Sequence, residues 1–528
     1  MLIGSEGFMK KIWYLGLVAL FASQTSWAQF SQSSIRGSRV KCVNNLAADH
    51  ACSNIDLLAR MSRTDLEVRG RSVLNDIWGW TDPVTKREYA LVGTGQFVAF
   101  VDVTDPINPI YNGKLPGHES DFPIIWRDMK VYKNHMYVTV DGRNNGMQVF
   151  DLRQLRGFDG TPRDFRATAH YDGITSAHNL AINEESGFAY ITGYELSRSA
   201  QGAKDTCGGR GLHIVDIRIP SNPTYAGCFA NRGTGNRNDG YTHDAQCVIY
   251  RGPDEKYQGR EICIGSNESH ISIADVTDKK DPVNVAAASY PHVGYAHQGW
   301  LTTDHEYFLM NDETDEFSFE VSNTRTIIWD LADLEDPVYH SAFYFSSTGP
   351  DHNLYVHGDY MFASNYSEGL RIVDISDINQ PQEIAFFDTH PGHDDTFAGA
   401  WSNYHFPESG TTVVGSHPDG LMILDPLPVT ITHTEASAAI PEAFSLSPAY
   451  PNPFNPVTST VLSLPEQTEV RAEVLDMLGR SVDLLKDGVL SAGQHILTFD
   501  ASQLPSGSYY IRVQTDQYAT GTQVVLIK

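Results

Sequence analysis

Polar and apolar residues alternate along most of this chain, and the alternation keeps ending the same way. Residues 369–381 read GLRIVDISDINQP, with FVAFVDVTDPINP at 97–109, GLHIVDIRIPSNP at 211–223 and HISIADVTDKKDP at 270–282. A period of two predicts a strand with two faces, and the aspartate followed by proline or polar residues predicts a turn. The aspartates closing such runs are Asp102, Asp151, Asp216, Asp275, Asp330, Asp374 and Asp425, spaced 44 to 65 residues apart. Each unit has one order. A polar residue opens a first strand (AHNLAIN, DHNLYVH), and a second follows after a turn (GFAYITG, DYMFASN). The aspartate-ended run is the third, and a stretch such as EIAFFD is the fourth.

Four short strands per unit at this period predict an all-β fold, a seven-bladed β-propeller, because one blade cannot bury both its faces and a ring of blades can. The units are too irregular for a linear solenoid and too short for separate sandwiches. The last unit, ending in GLMILDPLP, lacks a fourth strand, and NIDLLARMS at 54–62 lacks a home. That strand is expected to close the ring as the outer strand of the seventh blade, in a propeller spanning 42–427. The repeated aspartates look catalytic, but recurrence in every unit assigns them to the turn that follows.

Residues 428–443 lie in a stretch of prolines and small residues without a sustained pattern, which reads as a linker. From 444 to 528 a new set of alternating runs predicts a small Ig-like β-sandwich. Pro451, Asn452, Pro453 and Phe454 in PNPFNP, Gly479 in LGR, Gly507 in SGSYYIRV and the terminal Lys528 resemble the type A C-terminal sorting domain of the type IX secretion system. The resemblance implies handling by that secretion machinery, passage through the periplasm of a Gram-negative bacterium, and a secreted or cell-surface protein. In the body, NDIWGWTDP (75–83), WRDMKVY (126–132), GMQVFDL (146–152), THDAQCVIY (242–250), HQGWL (297–301) and DHNLY (351–355) resemble the choice-of-anchor B family of LVIVD-repeat proteins. That family implies a body joined to a C-terminal anchor and implies no chemistry.

Other features agree with export. Lys10-Lys11, an apolar run over 12–22 and Ser26-Trp27-Ala28 read as a secretory signal peptide, 1–28, cleaved after Ala28. Residues 1–8 fit no part of it, which places the start at Met9. No other segment is apolar enough to span a membrane, so no transmembrane anchor is expected in the mature chain. A net charge of −27 repels phosphate backbones and excludes nucleic acid as a partner. Six cysteines, Cys42, Cys52, Cys207, Cys228, Cys247 and Cys263, suit an oxidising setting. DAQCVIY and REICIG form a hairpin that would bring Cys247 and Cys263 face to face. Cys42 with Cys52 and Cys207 with Cys228 would follow by elimination, although six cysteines allow 15 pairings.

Candidate chemistry gathers at one mouth of the ring. The residues that open the first strands are Asp76, Asp128, His178, His243, His297, His352 and Trp401. The second strands return to the same mouth near Asp141, Glu195, Glu268, Asp312, Glu313, Tyr366 and His417. Imidazoles at four consecutive positions suit a transition metal, with carboxylates as supporting partners. They also suit hydrogen bonding between neighbouring blades and ordered water. NDETDEF at 311–317 resembles an acidic calcium loop, without the glycine and ligand ladder of an EF-hand. DGRNNG at 141–146 is a tight turn and not a phosphate loop, and neither GxSxG nor a Ser-His-Asp order occurs. The expectation is an exported binding module for a protein, glycan or small ligand; the alternative is a metal-dependent enzyme at the histidine-rich mouth.

Overall fold

The computed structural model describes residues 33–118, 125–317, 320–392, 397–426, 444–447, 449, 452–465, 468–490, 493–502, 504–515 and 518–528. The signal peptide 1–28, the linker 428–443 and Pro451 lie outside the described residues. The chain divides into two compact units, Met1–Ile431 and Thr432–Lys528. Among the described residues there is no α-helix, and no helix is long and apolar enough to cross a membrane.

The first unit is a succession of small antiparallel sheets. One runs Leu74–Thr81, Glu88–Thr94, Phe97–Asp102 and Ile110–Pro116. The same four-strand meander recurs in sheets beginning at Arg127–Tyr132, Asn179–Asn183, Asp244–Ile249, Ala296–Leu301 and Asn353–His357. A further sheet contains Gly399–His405, Thr412–His417 and Gly420–Pro426, and its fourth strand is Ile55–Met61 from the other end of the unit. That strand pairs antiparallel, with Ile55 opposite Pro426 and Met61 opposite Leu421. Each first strand lies against the first strand of the next sheet, and Gly399–His405 lies against Leu74–Thr81.

The alternation explains how this is held. In the Leu370–Asp374 strand, Leu370 and Ile372 face one core, with Leu57 and Leu424, while Val373 faces another, with Leu309 and Leu354. Among the described residues the apolar side chains form several clusters. The apolar clusters of this unit lie between consecutive sheets, so the inner strands bury both faces while outer strands such as Val283–Ala288 stay partly exposed. One of them joins Leu421, Ile423 and Val413 to Leu74, Ala90 and Val92, linking the last sheet to the first. Contact there is close: a Cβ on Gly79 would stand 2.1 Å from the Tyr404 ring.

Six of the seven repeated aspartates accept the backbone N–H two residues on. Examples are Asp102 from Thr104 at 3.1 Å, Asp216 from Arg218 at 3.0 Å and Asp374 from Ser376 at 2.9 Å. Asp151, Asp275 and Asp330 do the same. Asp425 pairs with Arg39 instead. Three disulfides join Cys42 to Cys52, Cys207 to Cys228 and Cys247 to Cys263. Cys247 and Cys263 are opposite one another in the hairpin register. His50–Ser53 adds to the Gln382–Phe387 edge, so the N-terminal segment bridges two sheets.

The second unit has two antiparallel sheets. One orders Ser445–Leu446, Val457–Leu464 and Gly493–Asp500; the other orders Ser481–Leu490, Thr468–Asp476, Gly507–Gln514 and Ala519–Leu526. Phe454 is buried, and its N–H donates to the Val525 carbonyl at 2.9 Å. Asn452 Nδ2 donates to the Gln523 carbonyl at 2.7 Å, and its Oδ1 accepts from Val525 N–H at 2.9 Å. Pro453 lies between these two anchors, so the motif is sewn to the last strand. Gly479, at φ +76°, sits in the turn whose Leu478 and Arg480 N–H groups donate to Asp476. Gly507 begins its strand, and Lys528 Nζ donates to the Ser502 carbonyl at 2.7 Å.

Candidate metal centre at the histidine arc

Four histidines from four consecutive sheets form an arc. The ring centroids of His178 and His243 are 4.5 Å apart, those of His243 and His297 4.3 Å, and those of His297 and His352 4.4 Å. Each is placed by the start of a first strand, where the backbone is tied to the neighbouring sheet. His243 Nδ1 is 3.0 Å from the His297 carbonyl, and His352 Nδ1 is 2.5 Å from the Trp401 carbonyl. An Nδ1–H that donates to a carbonyl leaves Nε2 with its lone pair, the state a metal ligand needs. His178 Nδ1 faces Asp141 Oδ2 at 3.2 Å, and Asp141 Oδ1 accepts from Ser176 Oγ.

Burial disfavours the charged form of three of the rings, His243, His297 and His352. It pushes His243 and His297 well below the ordinary histidine value, each helped by the neighbouring imidazoles. It pushes His352 down to about 3, against the opposing pull of the Trp401 carbonyl. His297 Nδ1 is buried and has no hydrogen-bond partner among the described residues.

Glu313 completes the group. Its Oε2 lies 3.9 Å from His297 Nε2, and its Oε1 accepts from Tyr366 Oη at 2.6 Å. Burial raises its carboxyl. One ligand atom each from His297, Glu313 and His352 lie within 4.8 Å of one another. Nitrogens and an oxygen at this separation suit zinc or another borderline divalent ion. Asp205, Cys207 and Cys228 are similarly close, but the two sulfurs are bonded to each other and offer no thiolate.

Trp401 is buried edge-on to His352 at 4.7 Å and stacked on His417 at 5.8 Å. It packs and is not an open platform. His417 Nδ1 is tied to the Leu74 carbonyl at 3.2 Å. Trp126 stands 38% exposed beside His178 and forms an aromatic lip. A narrow cavity of about 10 Å³ is lined by Asp76, Trp126, His178, His297, His352 and Trp401, room for an ion or one water.

Several expected members do not join the arc. Asp76 reaches the cavity, but with Asp128, Asp244 and Lys130 it belongs to a layer one residue further in. Lys130 Nζ is 2.6 Å from Asp128 Oδ1 and sits over the Trp78 ring. Burial pushes Asp76 up to about 7 and Asp244 up to about 8, with Asp128 adding to both. Trp78 and Trp300 both pack edge-on against Tyr355 next to this layer. Glu195 is exposed. Glu268 accepts from Asn236 N–H at 2.7 Å and lines a separate cavity of about 210 Å³ with Arg210, Arg237, Asp239 and Tyr241. Asp312 turns to the preceding loop, accepting from Tyr290 Oη, Gly294 N–H and Tyr295 N–H. Residues at a strand end alternate faces, so adjacency in sequence to the mouth does not place a side chain in it.

No curated protein matches the sequence. The LVIVD repeat family matches residues 207–230 and 349–389, and the secretion system C-terminal sorting domain matches 448–528. Among solved structures, the chain is similar to PorZ, an essential bacterial surface component of the type IX secretion system of Porphyromonas gingivalis. Identity is 16% and the TM-score 0.42, over 86% of this chain and 59% of that one. A protein from Lactobacillus plantarum matches at 11% identity and TM-score 0.40, over 81% of this chain and 99% of that one. Hydrazine synthase of Kuenenia stuttgartiensis matches at 10% identity and TM-score 0.43, over 66% of this chain and 94% of that one. The chain carries LVIVD repeats, ends in a type IX secretion sorting domain, and is a protein sent to the cell surface or the extracellular space.

Proposed function

We propose that residues 42–427 form a seven-bladed β-propeller closed by strand 54–62, that 444–528 form an Ig-like β-sandwich, and that the exported body is a binding module. Closure is supported by the apolar cluster joining Leu421 and Ile423 to Leu74 and Ala90. The module's ligand seats at the histidine-lined mouth, where a transition-metal ion is its anchor. The observation that carries this is the convergence of His297, Glu313 and His352 within 4.8 Å. His352 Nδ1 is committed to a carbonyl and Glu313 to Tyr366, which is the outer support that metal ligands require.

A second reading is a metal-dependent enzyme at the same place. It is favoured by the donor count, since three protein ligands leave a coordination position open to water or substrate. What this chain's residues supply is neutral imidazoles, an oriented carboxylate and the Tyr366 hydroxyl.

Elemental analysis of the secreted form tests both. The expected content is about one transition-metal ion per chain, lost in His297→Ala and His352→Ala. A folded protein that neither carries metal nor binds added zinc overturns the metal anchor. Turnover that depends on the ion would favour the enzyme over the binding module.

A further inference from the structure

The cavity of about 210 Å³ lined by Arg210, Arg237, Asp239, Tyr241 and Glu268 is walled by polar side chains. An apolar ligand there would strip water from charges and return nothing, so the space suits a polar one. Two of the four charges are matched within the wall. Arg210 Nε donates to Asp239 Oδ2 at 2.8 Å, and Asp239 Oδ1 accepts from Tyr241 N–H at 3.3 Å. The other two are not. Arg237 makes no hydrogen bond or ion pair among the described residues. Glu268 accepts one hydrogen bond, from Asn236 N–H to Oε2 at 2.7 Å, and forms no ion pair among the described residues. A guanidinium and a carboxylate therefore line one space without bonding each other.

The backbone holds both in place. Glu268 has a φ of +55°, a left-handed conformation that a long side chain rarely adopts. Its carbonyl accepts from Ala296 N–H at 2.6 Å, which ties this residue to the next sheet. Such strained positions persist where the surroundings over-determine them, and they recur at ligand clamps. The loop carrying Arg237 closes on itself. Gly233 N–H donates to the Asn238 carbonyl at 3.2 Å and Asn238 N–H to the Gly235 carbonyl at 3.0 Å. Asn267 Nδ2 donates to Thr234 Oγ1 at 2.7 Å, anchoring the loop beside Glu268. A Cβ on Gly235 would stand 3.3 Å from Glu268 Oε2, so the glycine lets the carboxylate lie against the loop.

The pairing of charges selects the ligand. A simple anion would meet the carboxylates of Asp239 and Glu268, and a simple cation would meet two guanidinium groups. A molecule that carries both charges avoids both penalties. A carboxylate suits the planar fork of a guanidinium, and an ammonium group has three donors to offer a carboxylate oxygen.

We propose that this cavity binds a small zwitterion of the α-amino acid class, its carboxylate on Arg237 and its ammonium group on Glu268. The site shares no ligand with the histidine arc and needs no metal.

Thermal unfolding of the full chain in chelator, with each common α-amino acid added singly in excess, tests this. The chelator removes metal binding by the amino acid as a cause. At least one amino acid is expected to raise Tm by a few degrees, as a ligand of the native state does. By calorimetric titration its N-acetyl and carboxamide derivatives, each lacking one charge, should bind at least about tenfold more weakly. Arg237→Met and Glu268→Gln should weaken the parent amino acid by as much. The proposal is overturned if no amino acid stabilises the chain, if either derivative binds as well as its parent, or if Glu268→Gln binds undiminished. Glucose raising Tm in place of the amino acids would assign the cavity to a neutral polyol and overturn it too. If Glu268→Gln does not fold, Arg237→Met, on an exposed side chain, decides.

Discussion

Nε2 of His297, on the first strand of its sheet, stands 3.9 Å from Oε2 of Glu313, the residue that follows the second strand of the same sheet. Metal–nitrogen and metal–oxygen bonds of about 2.0–2.2 Å let one ion reach both. The other Glu313 oxygen is held by Tyr366 from the next sheet. Metal binding at this place would therefore couple neighbouring sheets.

Tyr366→Phe tests that coupling without emptying the core. The ring stays and only the hydrogen bond to Glu313 goes. Metal affinity is expected to fall by about 10–100-fold, the usual effect of losing a partner behind a ligand. Competition against a chromophoric zinc chelator measures it. An unchanged affinity would mean that Glu313 is not a ligand.

His352 makes a prediction about pH. Its pKa falls from 6.5 in the unfolded chain to about 3 in the fold. As pH drops below 6.5 the unfolded state takes a proton that the folded state refuses, so this group lowers stability progressively until about pH 3. Its share is about 1.4 kcal/mol per pH unit. Asp76 and Asp244, raised to about 7 and about 8, work the opposite way, because the fold holds their protons where the unfolded chain has lost them. The comparison of interest is therefore between wild type and His352→Gln, which share those aspartates. Urea unfolding in chelator at about pH 7 and about pH 5 should show a smaller loss of stability in the variant. Equal losses would place a charged or solvated imidazole at this position.

Leu57 tests the closing strand. It is fully buried and lies opposite Leu424. Leu57→Ala is expected to cost about 2–5 kcal/mol in denaturant unfolding of the body. A cost below about 1 kcal/mol would mean that this strand lies outside the cooperative unit.

Lys130 is the counter-charge to Asp128 and its neighbours Asp76 and Asp244. Lys130→Met leaves these carboxylates buried without it and is expected to cost about 3–5 kcal/mol near neutral pH. Adding Asp128→Asn should recover part of the loss. A single variant as stable as wild type would show that the layer is already protonated.

Much of this was legible from short stretches. The alternation in GLRIVD assigns Leu370 and Ile372 to one face and Val373 to the other, and each face has its own core. The turn role of the repeated aspartates was legible because an aspartate and the N–H two residues on are local. The histidines of four units were legible as one group because each opens a first strand. The same logic placed Asp128 too near the mouth, while Asp76 lines the cavity from the deeper layer. In their units the residue before the aspartate, Asn75 or Arg127, stands where the others carry histidine, so the acids fall one step deeper beside Asp244.

By itself the sequence determined what neighbours in the chain decide: strands, turns, cysteine partners within a hairpin, and the sorting tail. Only the tertiary structure decided which side chains share a space, as Glu268 does with Arg237 and Lys130 with Asp76. The reason is geometric. First strands from separate sheets are brought side by side, and the depth of each residue along them depends on register, where a shift of one residue moves a side chain to another face or another layer.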